Sequence, residues 1–224
     1  MNNKSNAVIT AIIAIVAIAG FSAYAINSND KDDMMDDNLS MMNNDNNGSQ
    51  STVSANKDSD DYKMFASVSG EDYDRMFLAN MIAHHQGAVD MANLALASAK
   101  HTEVKDLATA IVSAQTKEIS DMSSWQKDWG YPSSGGEMTV DHSSMSMMDT
   151  NAGMMNALKG KDGDEFDKEF LYQMIMHHQS AVDMASTGVT NAYHQEVKDL
   201  TKAIVTAQTR EILQMRQWQK DWGY

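Results

Sequence analysis

Residues 84–92 read His-His-Gln-Gly-Ala-Val-Asp-Met-Ala, and residues 177–185 read His-His-Gln-Ser-Ala-Val-Asp-Met-Ala. Working outward from this pair, residues 72–131 align without a gap on residues 165–224, and 36 of 60 positions are identical. Glu103-Val104-Lys105-Asp106-Leu107 returns as residues 196–200, and the ending Trp125-Gln126-Lys127-Asp128-Trp129-Gly130-Tyr131 returns as residues 218–224. A repeat of this length means that one structural unit is built twice.

Each unit reads as two helices. Ser69 is placed to cap the first, with Asp72 three residues on as its capping-box partner. Phe77, Met81, Ala88, Ala92 and Ala95 then recur at helical spacing. The pattern fails near Lys100-His101, where Thr102 can cap a second helix. That helix carries a stripe of Val104, Leu107, Ala108, Ile111, Gln115, Glu118, Met122, Trp125 and Trp129, and ends at Gly130-Tyr131-Pro132. The loop is short, so the two helices run antiparallel, and neither hairpin alone can bury its stripe. The expected fold is all-α: an antiparallel four-helix bundle built from a duplicated helical hairpin, with the hairpins at 62–131 and 162–224.

The 224 residues carry 17 Lys+Arg against 31 Asp+Glu, a formal charge of −14. That excludes a nucleic-acid partner, which needs a basic surface to neutralise phosphates, and argues against docking on anionic lipid. There is no Cys, so disulfides, zinc ribbons, iron–sulfur clusters and thiol nucleophiles are excluded. A single Pro permits long helices. Twenty Met are several times ordinary usage.

Outside the repeats, residues 1–25 read as a cleaved secretory signal: Lys4, an apolar run over 7–20, and the small-x-small site Ala23-Tyr24-Ala25. The alternative is an uncleaved membrane anchor, since the run approaches the length needed to span a bilayer. Either places the rest of the chain in the periplasm or outside the cell. Residues 26–61 form an acidic tail with nine Asp and two Lys, expected to be disordered, punctuated by Met34-Met35 and Met41-Met42. Residues 132–161 read as a flexible Gly- and Ser-rich linker with Met138, His142, Met145, Met147, Met148, Met154 and Met155.

On a wheel of the first helix with Met81 at zero, His85 falls near +40° and His84 near −60°, flanking the buried stripe, with Met91 near −80° and Asp90 on the exposed side. Met81 and His85 are an i,i+4 pair whose side chains meet on a helix surface, a feasible thioether–imidazole chelate. The second repeat supplies Met174, His177, His178 and Met184. Glu118 and Glu211 face the stripe of the second helices. A carboxylate there needs a partner; it could orient an imidazole or bind metal directly. Met138, His142, Met145, Met147 and Met148 are further candidate ligands, because a Met in an unstructured segment has no core to fill. Met76 and Met122 read as core filler, Trp125 and Trp129 as core or end plugs, and His101 and His194 as caps or surface residues. Thioether and imidazole donors favour Cu(I) and, by the same softness, Ag(I), with Cu(II) through His.

The repeated His-His-Gln-x-Ala-Val-Asp-Met-Ala helix and the ending Trp-Gln-x-Asp-Trp-Gly resemble an exported bacterial family catalogued as domain of unknown function 305. The resemblance spans about residues 70–131 and 163–224. It implies a ferritin-like four-helix bundle, and its Met-rich copper-binding members imply copper binding and copper resistance outside the cytoplasm, through Met81, His84, His85, Met91, Met174, His177, His178 and Met184. The expected function is therefore a non-enzymatic, monomeric copper-binding protein whose partners are metal ions and, as a candidate, a membrane copper exporter or sensor. Two other classes stand beside it. A ferritin-like di-metal oxidase would use Glu118, Glu211 and the His pairs, but the Glu-x-x-His motif of such centres is not in the sequence. A non-metal helical adaptor would leave the Met-rich segments unexplained.

Overall fold

The structure, a computed structural model, describes residues 53–132 and 142–224, except the side chains of 142–148. The signal or anchor segment, the Met pairs of the tail and Met138 lie outside the described residues. Among the described residues seven helices follow in order: α1 (Asp60–Ala66), α2 (Glu71–Ser98), α3 (Thr102–Asp128), α4 (His142–Leu158), α5 (Gly163–Ala185), α6 (Gly188–Asn191) and α7 (Gln195–Trp222). α2 packs on α3, α5 packs on α7, and α2 lies antiparallel to α5 at the middle of an all-α bundle of four long helices. No helix among the described residues is long and apolar enough to cross a membrane.

The apolar interior forms two clusters. One holds Phe65, Tyr73, Phe77, Met81, Met122, Met184, Leu200 and Ile204. The other holds Met91, Leu107, Ile111, Phe170, Met174, Ile212, Met215 and Trp218. On each long helix a polar pair separates the two: His84 and His85 on α2, Gln115 and Glu118 on α3, His177 and His178 on α5, Gln208 and Glu211 on α7.

Two equivalent clasps join the hairpins. Asp74 on α2 is fully buried and accepts from the backbone N–H of Tyr193 (3.0 Å) and His194 (2.9 Å) and from His194 Nδ1 (2.7 Å). Asp167 on α5 does the same for Lys100 N (3.0 Å), His101 N (2.8 Å) and His101 Nδ1 (2.6 Å). The far face of each imidazole carries an indole: Trp129 stacks on His194 at 3.7 Å, and Trp222 on His101 at 3.8 Å. His101 and His194, at the N-cap positions of α3 and α7, thus also tie one repeat to the other.

The helix starts depart from the expected caps for the same tertiary reason. α2 is capped by Gly70, not Ser69; Gly70 takes φ 70° while its N–H donates to Asn191 O at 2.7 Å, a conformation glycine adopts without strain. Asp72 pairs with Arg75 instead of closing a capping box. α3 starts one residue earlier than expected, with His101 at the cap position because Asp167 holds its backbone there.

The boundaries of two segments are corrected. Residues 53–61 belong to the folded part rather than to a disordered tail. Asn56 N donates to Asp183 Oδ1 (2.7 Å), Gln179 Nε2 donates to Ser54 O (3.0 Å), and Ser59 caps α1 through Tyr62 N (3.1 Å). Residues 142–158, read as flexible linker, form α4, which crosses over to α2. Leu158 is buried in the second cluster and Met154 and Met155 pack against it, so burial of this edge supplies the helix stability that the Ser- and Gly-containing sequence lacks.

Candidate metal centre

Helix phase resolves the two histidines of each pair. His84 faces α5: its Nε2–H donates to the backbone carbonyl of His177 at 3.0 Å, and the two imidazole centroids are 3.6 Å apart. His85 faces α3, where its Nε2 meets Glu118 Oε2 at 2.6 Å. The second repeat returns this contact between His178 Nε2 and Glu211 Oε2, also at 2.6 Å. All four rings are buried, with at most 2% exposure. The two Glu are partly exposed, at 25% and 21% of the side chain. Each Glu therefore reaches from solvent to a buried imidazole, the orienting role that the sequence allowed.

The tautomers follow. A carbonyl oxygen accepts only, so His84 carries its proton on Nε2 and leaves a lone pair on Nδ1. A carboxylate likewise fixes the proton of His85 and His178 on Nε2. The Nδ1 atoms of His84, His85, His177 and His178 are all buried without a protein partner, and so is His177 Nε2. An unpaired buried imidazole nitrogen costs free energy, unless a ligand takes it. His84 is held well below its ordinary pKa, first by burial and then by His177, His85 and His178. His177 is shifted the same way, first by burial and then by His178 and His85. Both are neutral at neutral pH, the protonation state a metal requires.

Buried sulfur lies on both sides of this layer. The contacts of His85 with Glu118 set the antiparallel register of α2 and α3, which brings Met81 level with Met122. Both are fully buried, and Met184 from the other repeat joins their cluster. The equivalent set in the other cluster is Met174, Met215 and Met91. Met81 and Met91 are thus not partners in one site. They lie ten residues apart, about 15 Å along α2; Met81 shares its cluster with Met122 of its own repeat and Met184 of the other, Met91 with Met174 and Met215 of the other. Met122, read as core filler, is buried in the first cluster, and Met215, which the sequence reading did not single out, is buried in the second; their signal was the i,i+4 spacing from Glu118 and Glu211. His142, Met145, Met147 and Met148 lie on α4, and their side chains are outside the described residues. Among the described residues no three His, Asp or Glu side chains gather as a metal-holding group.

The chain matches the family described as Domain of unknown function (DUF305) over residues 22–93 and 74–219. It belongs to that family. Comparison with curated protein sequences gives no match. Among solved structures it is similar to CopM in the Cu(I)-bound form, with 38% identity over 66% of this chain and 96% of that chain, at a TM-score of 0.55. CopM in the Cu(II)-bound form gives 39% identity over 66% and 97%, with a TM-score of 0.55. A DUF305 protein from Streptomyces coelicolor gives 26% identity over 66% and 91%, with a TM-score of 0.58.

Proposed function

We propose that this DUF305 protein is a non-enzymatic copper-binding protein that works outside the cytoplasm, capturing Cu(I), and by the same softness Ag(I), at two equivalent centres. The observation that carries the reading is the set of four buried histidines with unpartnered Nδ1 atoms, flanked by two buried methionine trios. The residues fit copper: the donors are soft thioethers and imidazoles, and Glu118 and Glu211 stand behind His85 and His178 as orienting carboxylates. One centre would use His85 with Met81, Met122 and Met184, the other His178 with Met174, Met215 and Met91. His84 and His177 lie between them and are available to either. CopM, bound to Cu(I) and Cu(II) in its structures, supports copper as the cargo. The donor set differs from the Glu-x-x-His centre of di-iron oxidases, which favours storage over catalysis.

Residues 1–25 would direct export, and the Met pairs of the tail with Met138, His142, Met145, Met147 and Met148 would raise capture by adding weaker sites. The protein would lower free copper as a monomer, either by holding it or by passing it to a membrane exporter or sensor.

The test is an anaerobic Cu(I) titration of residues 27–224 against a chromogenic chelator, with Zn(II) and Fe(II) as controls. Tight Cu(I) binding with weak controls is expected. Met81→Leu with Met174→Leu conserves volume, so it should lower Cu(I) affinity about tenfold or more, as loss of a ligand shell contact does, with the fold intact. Undiminished affinity removes both sulfurs from the site, and no Cu(I) binding by the wild type ends the copper reading.

A further inference from the structure

Gln115 and Gln208 are buried at 4% and 3% exposure, and the Oε1 atom of each has no protein partner. They are one turn before Glu118 and Glu211 on the inward faces of α3 and α7, so they share a face with the carboxylates that hold His85 and His178. The antiparallel register that sets Met122 level with Met81 sets Gln115 level with Ala88, one turn beyond His85, where a small side chain faces it. The second repeat sets Gln208 level with Ala181 in the same way, and Ala88 and Ala181 are both fully buried. Each imidazole thus has sulfur one turn to one side and an amide oxygen one turn to the other.

An amide carbonyl left without a partner in a protein interior is destabilising. Leucine would fill the same volume without that cost. Yet the amide stands at both equivalent positions. Oxygen and nitrogen donors suit Cu(II), whereas thioethers suit Cu(I). Resting on the copper reading above, we infer that Gln115 and Gln208 are additional residues of the metal centres, whose Oε1 atoms serve the oxidised ion as oxygen donors, directly or through a bound water. Each centre is then two-sided: the imidazole is common to both oxidation states, the methionines hold Cu(I), and the glutamine holds Cu(II).

The test compares wild type with the Gln115→Leu/Gln208→Leu double variant in the full mature chain. Cu(I) and Cu(II) affinities are measured by chelator competition, the Cu(II) environment by electron paramagnetic resonance, and apo stability by thermal unfolding. The variant should lose about tenfold or more in Cu(II) affinity, as loss of a neighbouring polar partner does at metal sites, with a changed Cu(II) spectrum and Cu(I) affinity close to wild type. Its apo midpoint should hold or rise. A Gln115→Glu/Gln208→Glu variant, which keeps the oxygen, should retain Cu(II). Unchanged Cu(II) affinity and spectrum overturn the inference while leaving the copper reading in place. Equal losses for both ions, or a lower apo midpoint, also overturn it, because they mark a structural role. Wild type that binds neither ion overturns the inference together with the reading beneath it.

Discussion

The two repeats share an interior and differ on their outer faces. Inward, His84 and His85 are answered by His177 and His178, Gln115 and Glu118 by Gln208 and Glu211, Met81 and Met122 by Met174 and Met215, and Asp74 by Asp167. Outward, Ala79, Ala83 and Gly87 of α2 are answered by Tyr172, Met176 and Ser180 of α5. The small residues of α2 lie under α4: Asn151 Nδ2 donates to Ala83 O at 3.2 Å, beside Gly87. On α5, Ser180 Oγ donates to Asp61 at 2.6 Å, while Tyr172 and Met176 remain 54% and 38% exposed. One interior difference is compensated locally. Ala95 and Ala108 become Gly188 and Thr201, and a Cβ at 188 would sit 2.3–2.6 Å from the Thr201 side chain. The larger threonine is accommodated by the missing Cβ, and the helix breaks there into α5 and α6. Duplication has left the polar layer and the clasps alike in both halves, and let the covering segments diverge.

The clasps give the sharpest way to break this symmetry. Asp74→Ala leaves two backbone N–H groups and one imidazole without their acceptor, and Asp167→Ala does the same at the other end. The donors are part-buried and the lost acceptor is a fully buried carboxylate; with about 1 kcal/mol or more for each of three hydrogen bonds to a charged group, either substitution should cost on the order of 3 kcal/mol in urea unfolding. Equal losses would show that the two clasps are energetically equivalent. A loss below about 1 kcal/mol at either site, the size of one ordinary hydrogen bond, would show that the interface holds without it.

The polar layer predicts a pH dependence. His84 and His177 are pushed well below their ordinary value in the folded state, first by burial and then by neighbouring histidines. Their folded pKa lies below the unfolded value of about 6.5. Below that pH the unfolded chain takes up protons that the folded chain does not. Their contribution to stability is therefore complete above pH 6.5 and is lost as pH falls toward the folded pKa. Each histidine adds a slope of up to about 1.4 kcal/mol per pH unit. His84→Gln and His177→Gln should each remove about one proton's worth of slope from apo unfolding measured between pH 6.5 and pH 5. A slope unchanged in both variants would show that these two rings are not what titrates.

Much of this was legible because the relevant chemistry is local to one helix. Helical phase placed both histidines of each pair at the edge of the buried stripe, and the inward carboxylates at 118 and 211 announced a partner. A wheel keeps the angle around the axis and discards the distance along it, so it gives Met91 nearly the angle of His84 while helical rise sets them about two turns apart. Asp74 and His194 are 120 residues apart and carry no pattern that links them; only the packing of one hairpin on the other brings them together. The helix at 142–158 was equally hidden, because Ser, Gly and Met spaced as they are give no clear stripe, and contact with α2 supplies what intrinsic propensity does not.

The smallest expected effect tests the outer faces. A Cβ at position 87 would lie 2.4 Å from the Asn151 amide, so in Gly87→Ala that side chain must swing away and give up its bond to Ala83 O. The same substitution relieves a helix-interior glycine, which favours α2 by about 1 kcal/mol. A single hydrogen bond is worth about the same. The two effects nearly cancel, so the global unfolding midpoint should barely move. The local effect does not cancel: α4 loses its polar anchor, and its amides around residues 149–156 should exchange faster with deuterium. Ser180→Ala removes the hydroxyl that holds Asp61, and its faster exchange should fall on residues 56–66 instead. If Gly87→Ala leaves α4 protected, then the apolar edge of Met154, Met155 and Leu158 is what holds that helix on the bundle, and the notch at Gly87 only makes room for it.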